Sequence, residues 1–179
     1  MMRSSRASDD DGLSMVELIV AILVSTIVLV GMAVIFTNSW RTQERVSSVS
    51  EATNQGQVIG STIERAIRNG LYFEVTESGT VLKVRTSLAG SLRCQGFRLT
   101  DGSAQLATSS AALSATNTAW AQWQKAIEKR GTTAYFTRNG DNSLSYSFNI
   151  GTKNAPVSFS GRVLPRSIQQ PATGSGGCW

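Results

Sequence analysis

The chain contains no histidine, and only two cysteines and three prolines occur among its 179 residues. Without histidine there can be no Ser-His-Asp triad, no Cys-His pair and no HExxH zinc site, and the commonest general base and metal ligand is missing. Cys94 and Cys178 are too few for a four-thiolate zinc or iron-sulfur site in one chain, so one disulfide is the most they can form. Paired carboxylates, a nucleophile elbow and a phosphate-binding glycine loop are also missing. The sequence therefore points away from an enzyme and calls for no cofactor and no metal. What it does have is segregation: the apolar fraction is 41%, and much of it is concentrated near the start.

Residues 18–36 read LIVAILVSTIVLVGMAVIF, with no charge and only Ser25, Thr26 and Gly31 between the large apolar side chains. As a helix this stretch reaches roughly 28 Å at 1.5 Å per residue, close to the hydrocarbon thickness of a bilayer. Ser25 and Thr26 can return their hydroxyls to carbonyls of the preceding turn, so neither breaks the helix. A buried core helix is the alternative, but the run exceeds the roughly 10–14 residues usual for one. A cleaved secretory signal fits poorly, because the apolar stretch is too long and no Ala-x-Ala site follows it. Glu17 stands at the edge of the run. An isolated carboxylate in lipid costs roughly 2.5–3.5 kcal/mol on insertion scales, so it needs a cation nearby or must snorkel to the interface.

Gly12-Leu13-Ser14-Met15-Val16-Glu17 followed by LIVAILVSTIVLV resembles the class III signal of type IV pilins and pseudopilins. The likeness is close over about the first thirty-six residues and architectural beyond them. It implies cutting by a prepilin peptidase after Gly12 and N-methylation of Leu13. It also implies that Glu17 offers its carboxylate to the Leu13 ammonium of a neighbouring subunit. Two features depart from the family: the leader ends Asp9-Asp10-Asp11-Gly12 rather than in basic residues, and the apolar run holds no proline. Arg3 and Arg6 precede the run and Arg41 and Arg45 follow it, so the basic-residue count does not set orientation, which rests on the motif.

Beyond Phe36 a helical period continues through Val46, Val49, Thr53, Gly56, Ile59 or Gly60, Ile63 and Ile67. The spacing predicts one helix over 13–69, ended by Gly70 as a left-handed cap. Gly56-x-x-x-Gly60 would admit a neighbouring backbone, a bend or a large side chain from the head. From Leu71 the period becomes two. Glu77-Ser78-Gly79, Thr100-Asp101-Gly102 and Asn139-Gly140-Asp141-Asn142 each sit between alternating runs and predict three hairpins, with a last strand over 157–163. Residues 117–130 predict a helix with Ala119, Trp120, Trp123 and Ile127 on one face, stopped at Gly131. Core packing accounts for the two tryptophans more simply than a sugar-stacking platform, since Ile127 and Ala119 share their face.

The expectation is an α+β, pilin-like fold: a long N-terminal helix packed on an antiparallel sheet. Its segments are a leader (1–12), a transmembrane and assembly helix (13–36), an amphipathic stem (37–70) and a β-rich head (71–179). With an extracytoplasmic head, Cys94 and Cys178 meet oxidising conditions and pair, or else stay as two thiols. On the chain-entropy model such a bond is worth about 4 kcal/mol, and the family resemblance agrees with it.

The net charge is +5. The head holds eleven Lys or Arg against five Asp or Glu. Lys83, Arg85, Arg93 and Arg98 fall on neighbouring predicted strands and could form a patch for DNA or an anionic wall polymer, although a solvated basic surface is the simpler reading. Asp101 and the Asn139–Asn142 run suit tight turns better than calcium.

The resemblance thus implies a minor pilin or pseudopilin serving a pilus, a competence system or type II secretion. Its partners would be other pilin-like subunits, the prepilin peptidase, the membrane, and indirectly a platform protein and an ATPase. It would start in the inner or cytoplasmic membrane as a single-pass protein and end in a surface filament. The competing expectation is a single-pass anchored binding protein for DNA or wall polymer that never polymerises.

Overall fold

The computed structural model describes residues 14–88, 90–113, 120–167 and 178. The fold is α+β: one long helix, α1 (Met15–Arg68), precedes nine strands in two antiparallel sheets. The chain divides into two compact units, 1–44 and 45–179.

In the first unit the helix is apolar on every side over residues 18–36, and its large apolar side chains, from Met15 through Trp40, are exposed. It is long and apolar enough to cross a membrane. The Thr26 hydroxyl donates to the Ile22 carbonyl at 2.7 Å, which satisfies that polar group within the helix itself. Phe36 and Trp40, one turn apart, hold their rings 5.8 Å apart.

In the second unit α1 is amphipathic, and its buried residues are Ala52, Gly56, Ile59, Gly60, Ile63, Ala66 and Ile67. The buried stripe is shorter than its sequence period: Val46 and Val49 are exposed, and burial starts at Ala52. A five-stranded meander follows the helix, formed by β1 (Gly70–Thr76), β2 (Val81–Leu88), β3 (Ser91–Thr100), β4 (Ser103–Ser109) and β5 (Ala121–Lys125). The second sheet contains β6 (Ile127–Glu128), β7 (Phe136–Arg138), β8 (Leu144–Ile150) and β9 (Val157–Val163). β8 pairs with β9 along its whole length, with β7 near its start and with β6 at its end. A strand has two edges, so β6 and β7 share the edge opposite β9. Both sheets meet α1 in one core that includes Phe73, Leu82, Phe97, Leu144 and Phe148.

All three expected hairpins form, and β9 occupies the expected residues. Two local expectations fail. Gly70 is no left-handed cap but the first residue of β1, and its φ is not positive. Its lack of a side chain answers a steric need instead, because a Cβ there would stand 2.8 Å from Val84 Cγ1. The helix expected over 117–130 is absent where the structure describes that segment; residues 121–125 and 127–128 are strands. Residues three apart share a face in a helix but take opposite faces in a strand. Trp120 accordingly covers Gly96 on one side of the first sheet, while Trp123 packs on Phe97 in the core on the other. Ala126, with φ of 58°, turns the chain between β5 and β6. Its amide donates to Gly102 O at 3.0 Å and its carbonyl accepts from Gly151 N at 2.8 Å, so this one corner passes the chain from the first sheet to the second.

The two stem glycines admit large side chains from the head. A Cβ at Gly56 would overlap the Phe159 ring, and one at Gly60 would stand 3.0 Å from the Tyr146 hydroxyl. Gly161 clears the other side of the same tyrosine, since a Cβ there would come within 2.5 Å of its Cζ. The Tyr146 ring thus lies between two glycines, with Phe148 6.2 Å from it. Gly161→Ala should destabilise the head by about 1–3 kcal/mol through overpacking against a rigid ring. Gly140→Ala, with nothing within 4 Å of the added carbon, should stay within about 0.5 kcal/mol of the parent. Urea unfolding followed by tryptophan fluorescence would measure both, and equal midpoints for the two variants would contradict the packing.

Candidate functional site

Glu17 lies in the first turn of α1, a carboxylate immediately before the uncharged apolar run of residues 18–36. The turn is closed by Leu18 N donating to Ser14 O at 3.1 Å. An acid in the first turn also complements the positive end of the helix dipole. Gly12 and Leu13, the expected cleavage and methylation positions, lie outside the described residues.

Cys94 and Cys178 form a disulfide between residues 84 apart in sequence, with Cα atoms 5.4 Å apart. The bond is buried in a small cluster with Ala107, Leu113 and Trp120, on the side of the first sheet away from α1. Leu113 N donates to Cys178 O at 3.0 Å, which holds the end of the chain against the sheet by backbone as well as sulfur. Closure of so long a loop is worth about 4 kcal/mol on the chain-entropy model.

The four basic residues expected to form one patch do not share a face. Arg98 stands opposite Val81, and Lys83 and Arg85 follow Val81 at two-residue steps; these three therefore point to the same side of the sheet. Arg93 stands opposite Thr86 and points to the other side. The charge on the shared side is also diluted. Glu74 is directly opposite Lys83 across β1 and β2. Arg98 lies 3.6 Å from Glu77, donates to Gln105 at 3.4 Å and stacks 4.2 Å from the centre of the Trp120 ring. Two carboxylates among three cations on one face leave a weak field for a polyanion.

The two acidic turns are held by protein donors. Asp101 Oδ1 accepts from the Tyr135 hydroxyl at 2.6 Å and from Lys129 N at 3.1 Å, tying the β3–β4 turn to the segment between β6 and β7. Burial, and then the neighbouring Asp101, push the Tyr135 hydroxyl far above its usual pKa. Asp141 accepts from the Ser143 hydroxyl at 2.7 Å and from Ser143 N at 3.2 Å, and it pairs with Arg162 at 2.5 Å. These Ser143 bonds, with Arg162 behind them, hold its carboxyl below the ordinary range.

The sequence pattern did not single out Glu64 or Tyr146, which join the stem to the head. The Tyr146 hydroxyl donates to Glu64 Oε1 at 2.8 Å, and Glu64 Oε2 accepts from Arg68 at 3.3 Å. The only signal available for this contact was the pair of stem glycines that make room for the ring.

The chain matches no known family model, no curated protein and no solved structure. Its architecture, one long apolar N-terminal helix with an antiparallel β head, fits that of pilin-like proteins, and the helix is consistent with a single-pass membrane anchor.

Burial, and then hydrogen bonding to Glu64, push the Tyr146 hydroxyl from 10.0 up to about 12. The folded chain holds this proton more tightly than the unfolded one. Its contribution to stability is therefore complete below pH 10 and is lost as the pH rises through 12. Tyr146→Phe removes the titrating group. The stability advantage of the parent over Tyr146→Phe, measured by urea unfolding at successive pH values, should shrink between pH 10 and 12; a constant difference would refute the coupling.

Proposed function

We propose that the chain is a minor pilin or pseudopilin, a non-enzymatic structural subunit of a type IV pilus-like filament. The observation that carries this reading is a helical run, residues 18–36, that is apolar on every side and exposed in the single chain, with one carboxylate, Glu17, at its start. Lipid covers such a surface before assembly, and the helices of neighbouring subunits cover it afterwards. Glu17 gives the second environment an energetic advantage. Unpaired in hydrocarbon it costs roughly 2.5–3.5 kcal/mol, whereas beside an ammonium of the next subunit it is neutralised.

In this reading the prepilin peptidase cuts after Gly12, Leu13 becomes the methylated N-terminus, and its ammonium pairs with Glu17 of a neighbour. The platform protein and ATPase of the machine act on the inserted helix. The subunit starts in the inner or cytoplasmic membrane with its head outside and passes into a surface filament or pseudopilus. The head contributes through shape and packing. The divided and partly neutralised basic residues give little support to polyanion capture as its main role.

The mass of the N-terminal peptide from membrane-extracted protein should correspond to a chain beginning at methylated Leu13. Glu17→Ala should leave processing and membrane insertion intact while the protein drops at least tenfold in sheared filaments. Undiminished incorporation would favour a monomeric anchored binding protein instead.

A further inference from the structure

A group of arginines also lines a cleft at the C-terminal end of α1, apart from the patch expected on β2 and β3. It measures about 280 Å³ and is lined by Ser61, Glu64, Arg65, Arg68, Asn69 and Arg166. We propose that this cleft binds a phosphate-type oxyanion, held chiefly by Arg65 and Arg166.

Three observations carry the assignment. The single acid in the cleft is already committed, because Glu64 accepts from Tyr146 on one oxygen and from Arg68 on the other. Arg65 and Arg166 have no carboxylate partner among the described residues. Finally, Arg166 is brought to the helix end by the fold: Pro165 precedes it, and the next residue, Ser167, donates its hydroxyl to Gly70 O at 2.7 Å. Residues 168–177, which follow, contain neither Asp nor Glu that could supply the missing charge.

The charge balance favours an anion. Three guanidinium groups face one carboxylate, and the negative end of the helix dipole offsets only about half an elementary charge more, leaving a surplus of roughly one and a half. Guanidinium forks match tetrahedral oxyanions with two parallel N–H donors each, and the Asn69 amide adds a neutral donor. The volume admits a phosphate with its first ester group. The source is a free phosphate or a phosphomonoester.

With the full chain in an uncharged maltoside micelle, inorganic phosphate added at constant ionic strength should move the Nε–Hε resonances of Arg65 and Arg166 along saturable curves. Arg166→Gln should weaken that binding at least tenfold, while Arg130→Gln, an exposed arginine outside the cleft, should leave it unchanged. Shifts that grow linearly with phosphate, that chloride reproduces, or that respond equally to both substitutions would overturn the site. The measurement needs no filament, so its failure would leave the assembly reading untouched.

Discussion

The stripe of α1 from Ala52 to Ile67 is the surface on which the head depends. Each sheet has an apolar side that must leave water, and each contributes to a core in which Ile59, Ile63 and Ile67 are fully buried. Burial of a side chain of this size is worth roughly 1.5–3 kcal/mol. The fit is specific where the head reaches the stem. Phe159 needs Gly56, and Tyr146 needs both Gly60 and Gly161. The same tyrosine then finds Glu64 for its hydroxyl, so the bulkiest polar group at this seam is buried with a partner.

One helix thus carries two apolar patterns with different consequences. Up to Phe36 its apolar side chains are distributed all round, which suits a solvent of hydrocarbon or other helices. From Ala52 onward they are confined to one stripe, which suits a sheet. The all-round apolar surface, exposed in the single chain, needs covering on all sides, and this is why a carboxylate at its margin bears so strongly on the proposed function. In the proposed filament Glu17 selects the environment that supplies a cation, and the rest of the helix supplies the area.

The head is stitched by contacts between segments distant in sequence. The disulfide secures the chain end on one side of the first sheet, Asp101 and Tyr135 join a hairpin tip to the segment between the sheets, and Arg138 donates to Tyr72 and to the Phe73 carbonyl across β7 and β1. Polar side chains placed in this way fix one arrangement of two small sheets that would otherwise have short pairings to hold them. The cleft at the end of α1 follows from the same closure, since the return of the chain after β9 brings Arg166 to the stem.

What was legible in the sequence was local. The uncharged run of residues 18–36, broken only by Ser25, Thr26 and Gly31 among large apolar side chains, reads as a long apolar helix, and Glu77-Ser78-Gly79, Thr100-Asp101-Gly102 and Asn139–Asn142 mark reversals because few residue types accept the backbone that tight turns require. The β9 strand was legible in the alternation of residues 157–163. Trp120, Trp123 and Ile127 misled because their spacing fits a helical face, and only the neighbouring edges of β4 and β8 decide that the segment pairs as two strands bent at Ala126. Strand pairing also separated Arg93 from Lys83, Arg85 and Arg98, since a one-residue offset in register reverses the side to which a residue points. The meeting of Cys94 with Cys178, of Tyr146 with Glu64 and of Arg166 with Arg65 required the closed chain. Periodicity reports which residues share a face within one element, but it carries no information on which elements become neighbours.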